Sequence, residues 1–147
     1  MSAEVHGAVV SFGPAAVLIT GASGTGKSAL ALQLMSMGAT LVADDQVGLV
    51  RTEDLVIASP VPGLEGRIEA RGIGIIRTEW TPRAVLRLVA DLDTSPDTRL
   101  PDPKTRTYLG RDLPLVEVAG LQGAAPALRA ILTGGLEVAG QAKFMQD

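Results

Sequence analysis

Eight consecutive residues, Gly21-Ala22-Ser23-Gly24-Thr25-Gly26-Lys27-Ser28, satisfy the pattern G-x-x-x-x-G-K-[ST] at every position. Polyphosphate carries several negative charges that must be held away from water. Glycines let successive backbone N–H groups turn inward as an anion nest. A helix starting at Ser28 adds a partial positive charge at its first turn. Lys27 supplies a point charge for the outer phosphates, and the Ser28 hydroxyl can ligate Mg²⁺. The flanks agree with this reading. Ala15–Thr20 is a continuous apolar run that suits a strand buried on both faces. Ser28–Met37 reads as a helix, with Leu30, Leu34 and Met37 at helical spacing and Gly38 in place to end it.

Composition narrows what surrounds the loop. The chain has 147 residues, 46% hydrophobic and 20% charged, which predicts a single domain over 1–147 with a real core and excludes a disordered chain. It has no cysteine, so disulfide scaffolds, thiolate zinc sites and cysteine nucleophiles are ruled out. A single histidine, His6, excludes a multi-histidine metal centre. A net charge of −3 and few aromatics argue against nucleic acid as a partner. No apolar run is long enough for a membrane span and the first residues do not form a secretory signal, so the expected location is cytoplasmic, with no membrane partner. Nine of the 13 lysines and arginines lie between Arg67 and Arg111, either as a solvated basic face or as a surface that receives phosphate or an acidic partner.

The remaining pattern is strand-rich. Val5–Phe12 reads as one strand and Thr40–Ala43 as a buried one. Val47–Thr52 and Leu55–Ser59 read as a hairpin turning at Glu53-Asp54. Arg67–Ile76 carries Gly72 and Gly74 amid apolar residues, a poor helix pattern that predicts irregular backbone. Ala84–Leu92 alternates in strand fashion. Asp93–Lys104 reads as a loop, and Arg106–Leu109 and Leu115–Ala119 as short strands around a turn at Gly110–Pro114. Residues 124–133 and 136–146 read as helices. Trp80 and Phe144 are expected in the core or an interface. Strands outnumber helices, so the expectation is an α/β domain with a mixed, strand-rich sheet rather than the regular doubly wound alternation.

Two further blocks carry candidate chemistry. Leu41-Val42-Ala43-Asp44-Asp45 is an apolar strand ending in two carboxylates, which allows one to serve a metal shell and the other a proton. Side chains alternate along a strand, so only one should face the phosphates unless the strand has already ended. In Ile68–Ile76, Glu69 and Arg71 alternate, so both could project from one face of an extended segment, a carboxylate for Mg²⁺ beside a guanidinium for phosphate. A plain surface strand pair fits the same residues.

Together, GASGTGKS at 21–28, LVADD at 41–45 and IEARGIGII at 68–76 resemble the catalytic domain of the HPr kinase/phosphorylase family; the third block resembles that family's own signature. Val5-His6-Gly7 is similar to the segment where the family keeps a histidine. Pro103-Lys104, Gly110-Arg111 and Leu115–Val118 resemble a later family stretch. The resemblance covers residues 5 to about 120. It implies a phosphoenolpyruvate-carboxykinase-like fold and a serine kinase and phosphorylase acting on HPr or an HPr-like phosphocarrier. ATP or pyrophosphate would be the donor and Mg²⁺ the cofactor. The resemblance assigns Lys27 to phosphate, Ser28 and Glu69 to Mg²⁺, and Asp45 to the serine proton in both directions, so of the paired carboxylates Asp44 is the one left for the metal shell. His6 and Arg111 become active-site groups. It also implies a homo-oligomer, a hexamer in the family, and the compact single-domain form of the enzyme. Two departures stand out. Arg77–Pro82 replaces a Gly-Ala-rich loop, and the stretch Leu121–Leu132 lacks the family's N-F-R-x-K segment. Two readings compete with the kinase: a small metabolite kinase, and a nucleotide-binding switch, for which no guanine-reading N-K-x-D is present.

Overall fold

A computed structural model describes residues 1–136 of the chain. In chain order the described elements are β1 (Ser2–His6), β2 (Ala8–Phe12), β3 (Ala15–Thr20), α1 (Lys27–Ser36), β4 (Thr40–Ala43), β5 (Gln46–Thr52) and β6 (Leu55–Pro60). There follow β7 (Arg67–Ala70), β8 (Gly74–Arg77), β9 (Ala84–Asp91), β10 (Lys104–Tyr108), β11 (Arg111–Glu117) and α2 (Ala124–Gly134). Nine strands form one mixed sheet in the order β1-β5-β6-β9-β3-β2-β4, and β11 joins β9 alongside β10. The other two, β7 and β8, form a separate antiparallel pair. The expected mixed, strand-rich α/β architecture is thus found. The second predicted helix, 136–146, and Phe144 lie outside the described residues but for Leu136.

The central strands explain the apolar runs. β3 pairs antiparallel with β2 and parallel with β9, so it is enclosed on both edges. Val17 and Ile19 face one cluster, together with Leu30 and Leu34 of α1 and Leu128 and Leu132 of α2. Ala16 and Leu18 face the other, with Val47 and Leu49 of β5, Val56 of β6 and Leu113 of β11. Strand alternation therefore delivers apolar side chains to two cores at once, which is why this segment shows no polar positions. α1 ends as the sequence predicts. Gly38 takes φ 108°, and the Ala39 N–H bonds the Leu34 carbonyl at 3.1 Å, closing the helix with a left-handed glycine. Leu34 is fully buried between α1 and the sheet. Leu34→Ala is expected to lower unfolding stability by about 2–5 kcal/mol. Chemical denaturation checks this through a lower midpoint at unchanged slope.

Several expectations are corrected. Val5–Phe12 is two strands, divided at Gly7. A Cβ there would lie 2.7 Å from the Ile19 carbonyl oxygen, so only glycine allows the chain to cross so close to β3. The chain therefore leaves β5, which pairs with β1, and joins β3 within one residue. The 67–76 segment is a regular hairpin rather than irregular backbone. Its turn sits at Arg71-Gly72-Ile73, with Gly72 and Gly74 at φ 85° and 141°. The predicted turn at Gly110–Pro114 is only Leu109-Gly110, both with positive φ, the geometry that suits a two-residue hairpin. Pro114 lies inside β11, opposite Thr105 and one residue before β11 begins to pair with β9, an edge-like position that tolerates proline. Of the two places expected for Trp80, core or interface, the core is excluded, since it is 43% exposed; it covers Gly66 and bridges to Leu41.

Candidate active site

The phosphate-loop motif runs from the end of β3 into α1, and its glycines adopt backbone that other residues resist. Gly24 and Gly26 have φ 86° and 99°. Gly21 is boxed in, since a Cβ on it would lie 2.5 Å from the Thr25 hydroxyl. α1 starts without a side-chain cap and without an acidic residue in its first turn. Its opening N–H groups are left for an anion. The Lys27 ammonium donates to the Gly21 and Ala22 carbonyls at 2.8 and 3.0 Å. The Thr25 hydroxyl donates to Ala22 O at 2.8 Å. A side chain of the right charge is therefore already folded over the loop.

β4 delivers the paired carboxylates, and the strand ends before them. That resolves the alternation problem: Asp44 and Asp45 sit in the turn to β5, closed by the Gln46 N–H to the Asp44 carbonyl at 2.9 Å, and both reach the same cleft. Asp45 has φ 72°, a left-handed conformation that aspartate tolerates better than most residues. The two carboxylates are used differently. Asp44 accepts from the Ser28 hydroxyl at 2.8 Å and from the Glu69 N–H at 3.1 Å, tying the loop to β7. Asp45 is exposed and lies 3.5 Å from Nδ1 of His6. The Gly7 crossing builds that contact. Its N–H bonds the Asp45 carbonyl at 3.1 Å, and the β1–β5 register sets His6 opposite Gln46.

The β7–β8 hairpin closes the other side. Ile68 and Ala70 point into the core, which turns Arg67 and Glu69 outward to the cleft. Arg71 leaves the strand at the turn, so it does not share a strand face with Glu69 as its spacing suggests. It still reaches the loop: a side chain on Gly24 would meet its guanidinium at 3.8 Å. The open cleft has a volume of about 630 Å³. Lys27, Ser28, Asp44, Asp45, Glu69 and Arg71 all line it. Arg67, not singled out in the sequence, also lines it.

Arg111 is not brought there by the chain's own fold. It opens β11 as an exposed residue. The preceding turn lies against Arg51, which donates to Leu109 O at 3.0 Å and whose N–H bonds Met1 O. Met1 and His6 stand at opposite ends of β1, roughly 15 Å apart at strand spacing. The residues present fit a magnesium–polyphosphate. The ion takes few protein ligands and keeps waters and phosphate oxygens for the rest. One hydroxyl and two carboxylates, Ser28, Asp44 and Glu69, beside a nest of N–H groups, suit that demand. No cluster of three or more acidic or histidine ligands stands apart to hold a metal among the described residues.

Comparison with known proteins agrees with this geometry. A family model described as HPr Serine kinase C-terminal domain matches residues 1–81, which contain every residue of the cleft. The HPr kinase/phosphorylase of Burkholderia lata is 39% identical over 142 residues, covering 88% of this chain and 43% of that protein. That of Shouchella clausii is 48% identical over 73 residues, covering 49% of this chain and 24% of the relative. The chain thus spans less than half the length of these relatives. A solved structure of the Hpr(Ser) kinase/phosphatase from Coxiella burnetii superposes with a TM-score of 0.75 at 27% identity, covering 89% of this chain and 88% of that one.

Proposed function

Because the chain belongs to the HPr serine kinase C-terminal domain family, we propose that it transfers a phosphoryl group to a serine of HPr or an HPr-like phosphocarrier. The donor is ATP or pyrophosphate with Mg²⁺, and the reverse phosphorolysis runs on the same groups. One observation supports this reading above the rest. Asp44 is engaged by the phosphate-loop serine, while its neighbour Asp45 stands exposed at the cleft mouth beside His6. A metabolite kinase would need an acceptor pocket; here the second carboxylate faces outward, where a protein side chain can arrive.

The chemistry follows from these positions. The acceptor serine attacks the terminal phosphorus, the bond from that phosphorus to the donor's bridging oxygen breaks, and the serine proton passes to the Asp45 carboxylate. His6 orients that carboxylate. The Lys27 ammonium, two of its three donors on loop carbonyls, meets the outer phosphate charge, and the α1 N–H groups and Arg71 share the load. Ser28, Asp44 and Glu69 would hold Mg²⁺, which supplies charge neutralisation on the phosphate oxygens when bound. In phosphorolysis an oxygen of inorganic phosphate attacks the phosphoserine phosphorus, the bond from that phosphorus to the serine oxygen breaks, Asp45 returns the proton to the serine oxygen, and the pyrophosphate so formed is released. Arg111 does not line this cleft within the chain. The reading includes a phosphoenolpyruvate-carboxykinase-like nucleotide fold, one catalytic unit over the whole chain, a homo-oligomer and a cytoplasmic setting. Among the described residues no helix is long and apolar enough to cross a membrane.

The test is incubation with γ-labelled ATP, Mg²⁺ and HPr-like carriers, followed by mapping of the phosphorylated residue. Label on a carrier serine is expected. Tight nucleotide binding with no label on any carrier would replace this reading with a nucleotide-binding switch.

A further inference from the structure

We propose that Asp93 is a positioning residue for the phosphate loop, held in place by Asp91 and Arg106; this rests on the reading that the loop grips a polyphosphate. The three residues lie outside the segment matched by the family model.

The Ala22 N–H donates to Oδ1 of Asp93 at 2.9 Å, a contact across 71 residues of sequence. Asp93 is itself fixed, since its own N–H donates to Oδ1 of Asp91 at 2.7 Å. Asp91 is only 6% exposed, one of two buried polar residues in the described core. Its other oxygen lies 3.4 Å from Nη2 of Arg106, whose Nη1 donates to the Thr20 hydroxyl at 2.8 Å. Thr20 is the last residue of β3 before the loop, and its carbonyl accepts the Leu92 N–H at 2.9 Å. The ends of β3 and β9 and the strand β10 thus meet in one bonded cluster directly beneath the first turn of the loop.

That cluster holds Ala22 at its N–H, while Lys27 and Thr25 hold the same residue at its carbonyl. An N–H aimed at a carboxylate is not available to a phosphate. The Asp93 bond therefore withdraws the Ala22 amide from the ligand and leaves phosphate to the loop amides that bond nothing within the loop; Thr25 is not among them, since its N–H donates to Ala22 O at 3.2 Å. The two restraints also differ in what binding does to them. Lys27 spends two of its three N–H donors on the Gly21 and Ala22 carbonyls, so a phosphate competes with them for its ammonium. Asp93 need not move, so it is the restraint that persists when the loop is loaded. A loop already ordered has less freedom to lose on binding.

Asp93 is exposed, so its replacement leaves the core intact. Three proteins are compared: the parent chain, Asp93→Ala and Asp93→Asn, whose amide oxygen can still accept the Ala22 N–H. In the ligand-free protein, hydrogen exchange at the Ala22 amide should quicken at least about tenfold in Asp93→Ala and stay near the parent rate in Asp93→Asn. Affinity for Mg²⁺-ATP and Mg²⁺-pyrophosphate should fall about tenfold in Asp93→Ala and about threefold or less in Asp93→Asn, with transfer at saturating donor retained. Melting temperatures should match. Parent-like affinity in Asp93→Ala overturns the proposal, as does Asp93→Asn behaving like Asp93→Ala. A parent chain that binds neither compound removes the polyphosphate reading and this inference with it; parent binding with unchanged variants removes the inference alone.

Discussion

Asp45→Asn is expected to lower phosphoryl transfer to the carrier serine by about 10²–10⁴-fold, the usual scale of a lost general base. The amide keeps the shape of the side chain and its hydrogen-bond reach, but it cannot accept the serine proton at neutral pH. Asparagine also tolerates the left-handed backbone at this position, φ 72°, so the turn between β4 and β5 stays intact. Asp45 bonds neither Ser28 nor the loop, and it is exposed, so donor affinity and stability should be unaffected. The check pairs single-turnover transfer of label with a titration of Mg²⁺-ATP. A large drop in the first with an unchanged second places Asp45 in the chemical step. Transfer at the parent rate would remove it from the mechanism and leave His6 without a partner to orient.

Lys27→Met is expected to cost about 10²–10³-fold in transfer, the scale of removing one fixed donor from a developing negative charge. Here donor affinity should fall as well, in contrast to Asp45→Asn. Methionine keeps the length of the stem and its packing over the loop. The carbonyls it abandons, an exposed one on Ala22 and a half-buried one on Gly21, can take water, so the fold should hold. Lys27→Arg is not a rescue, because the planar guanidinium cannot settle between those carbonyls as a compact ammonium does. Isothermal titration with pyrophosphate, alongside the transfer assay, separates the two losses. Parent-like pyrophosphate binding in Lys27→Met would mean that this ammonium serves the loop's shape and never meets the ligand.

How much of this was legible in the sequence depended on distance along the chain. The strand, loop and helix at 15–37 were readable because each signal is local: glycines at fixed spacing, an apolar run before them and helical spacing after. The hairpin at 46–60 was readable for the same reason. The 67–76 hairpin was obscured because its two glycines, which look like breaks, are the turn itself, and the turn carries Arg71 off the strand. The division at Gly7 depends on how close β3 passes, which no window around Gly7 contains. Asp93 was hidden most completely. It stands in a proline-rich stretch that reads as a plain loop, and its partner lies 71 residues earlier. Arg111 shows the opposite case. Its resemblance to a family motif is local, but its location is set by the tight turn at Leu109-Gly110 and by Arg51.

The parallel pairing of β3 with β9 joins residues 15–20 to 85–91. Every group that lines the cleft is complete by residue 75, yet the strand beneath the loop acquires its second neighbour only when β9 arrives. Closing so long a connection makes assembly slow, because its entropy is lost before the pairing repays it. On the ribosome, then, the chemistry is written first and becomes competent late: an emerging chain carries all of the ligand-gripping residues while an apolar edge of its central strand still waits for a partner.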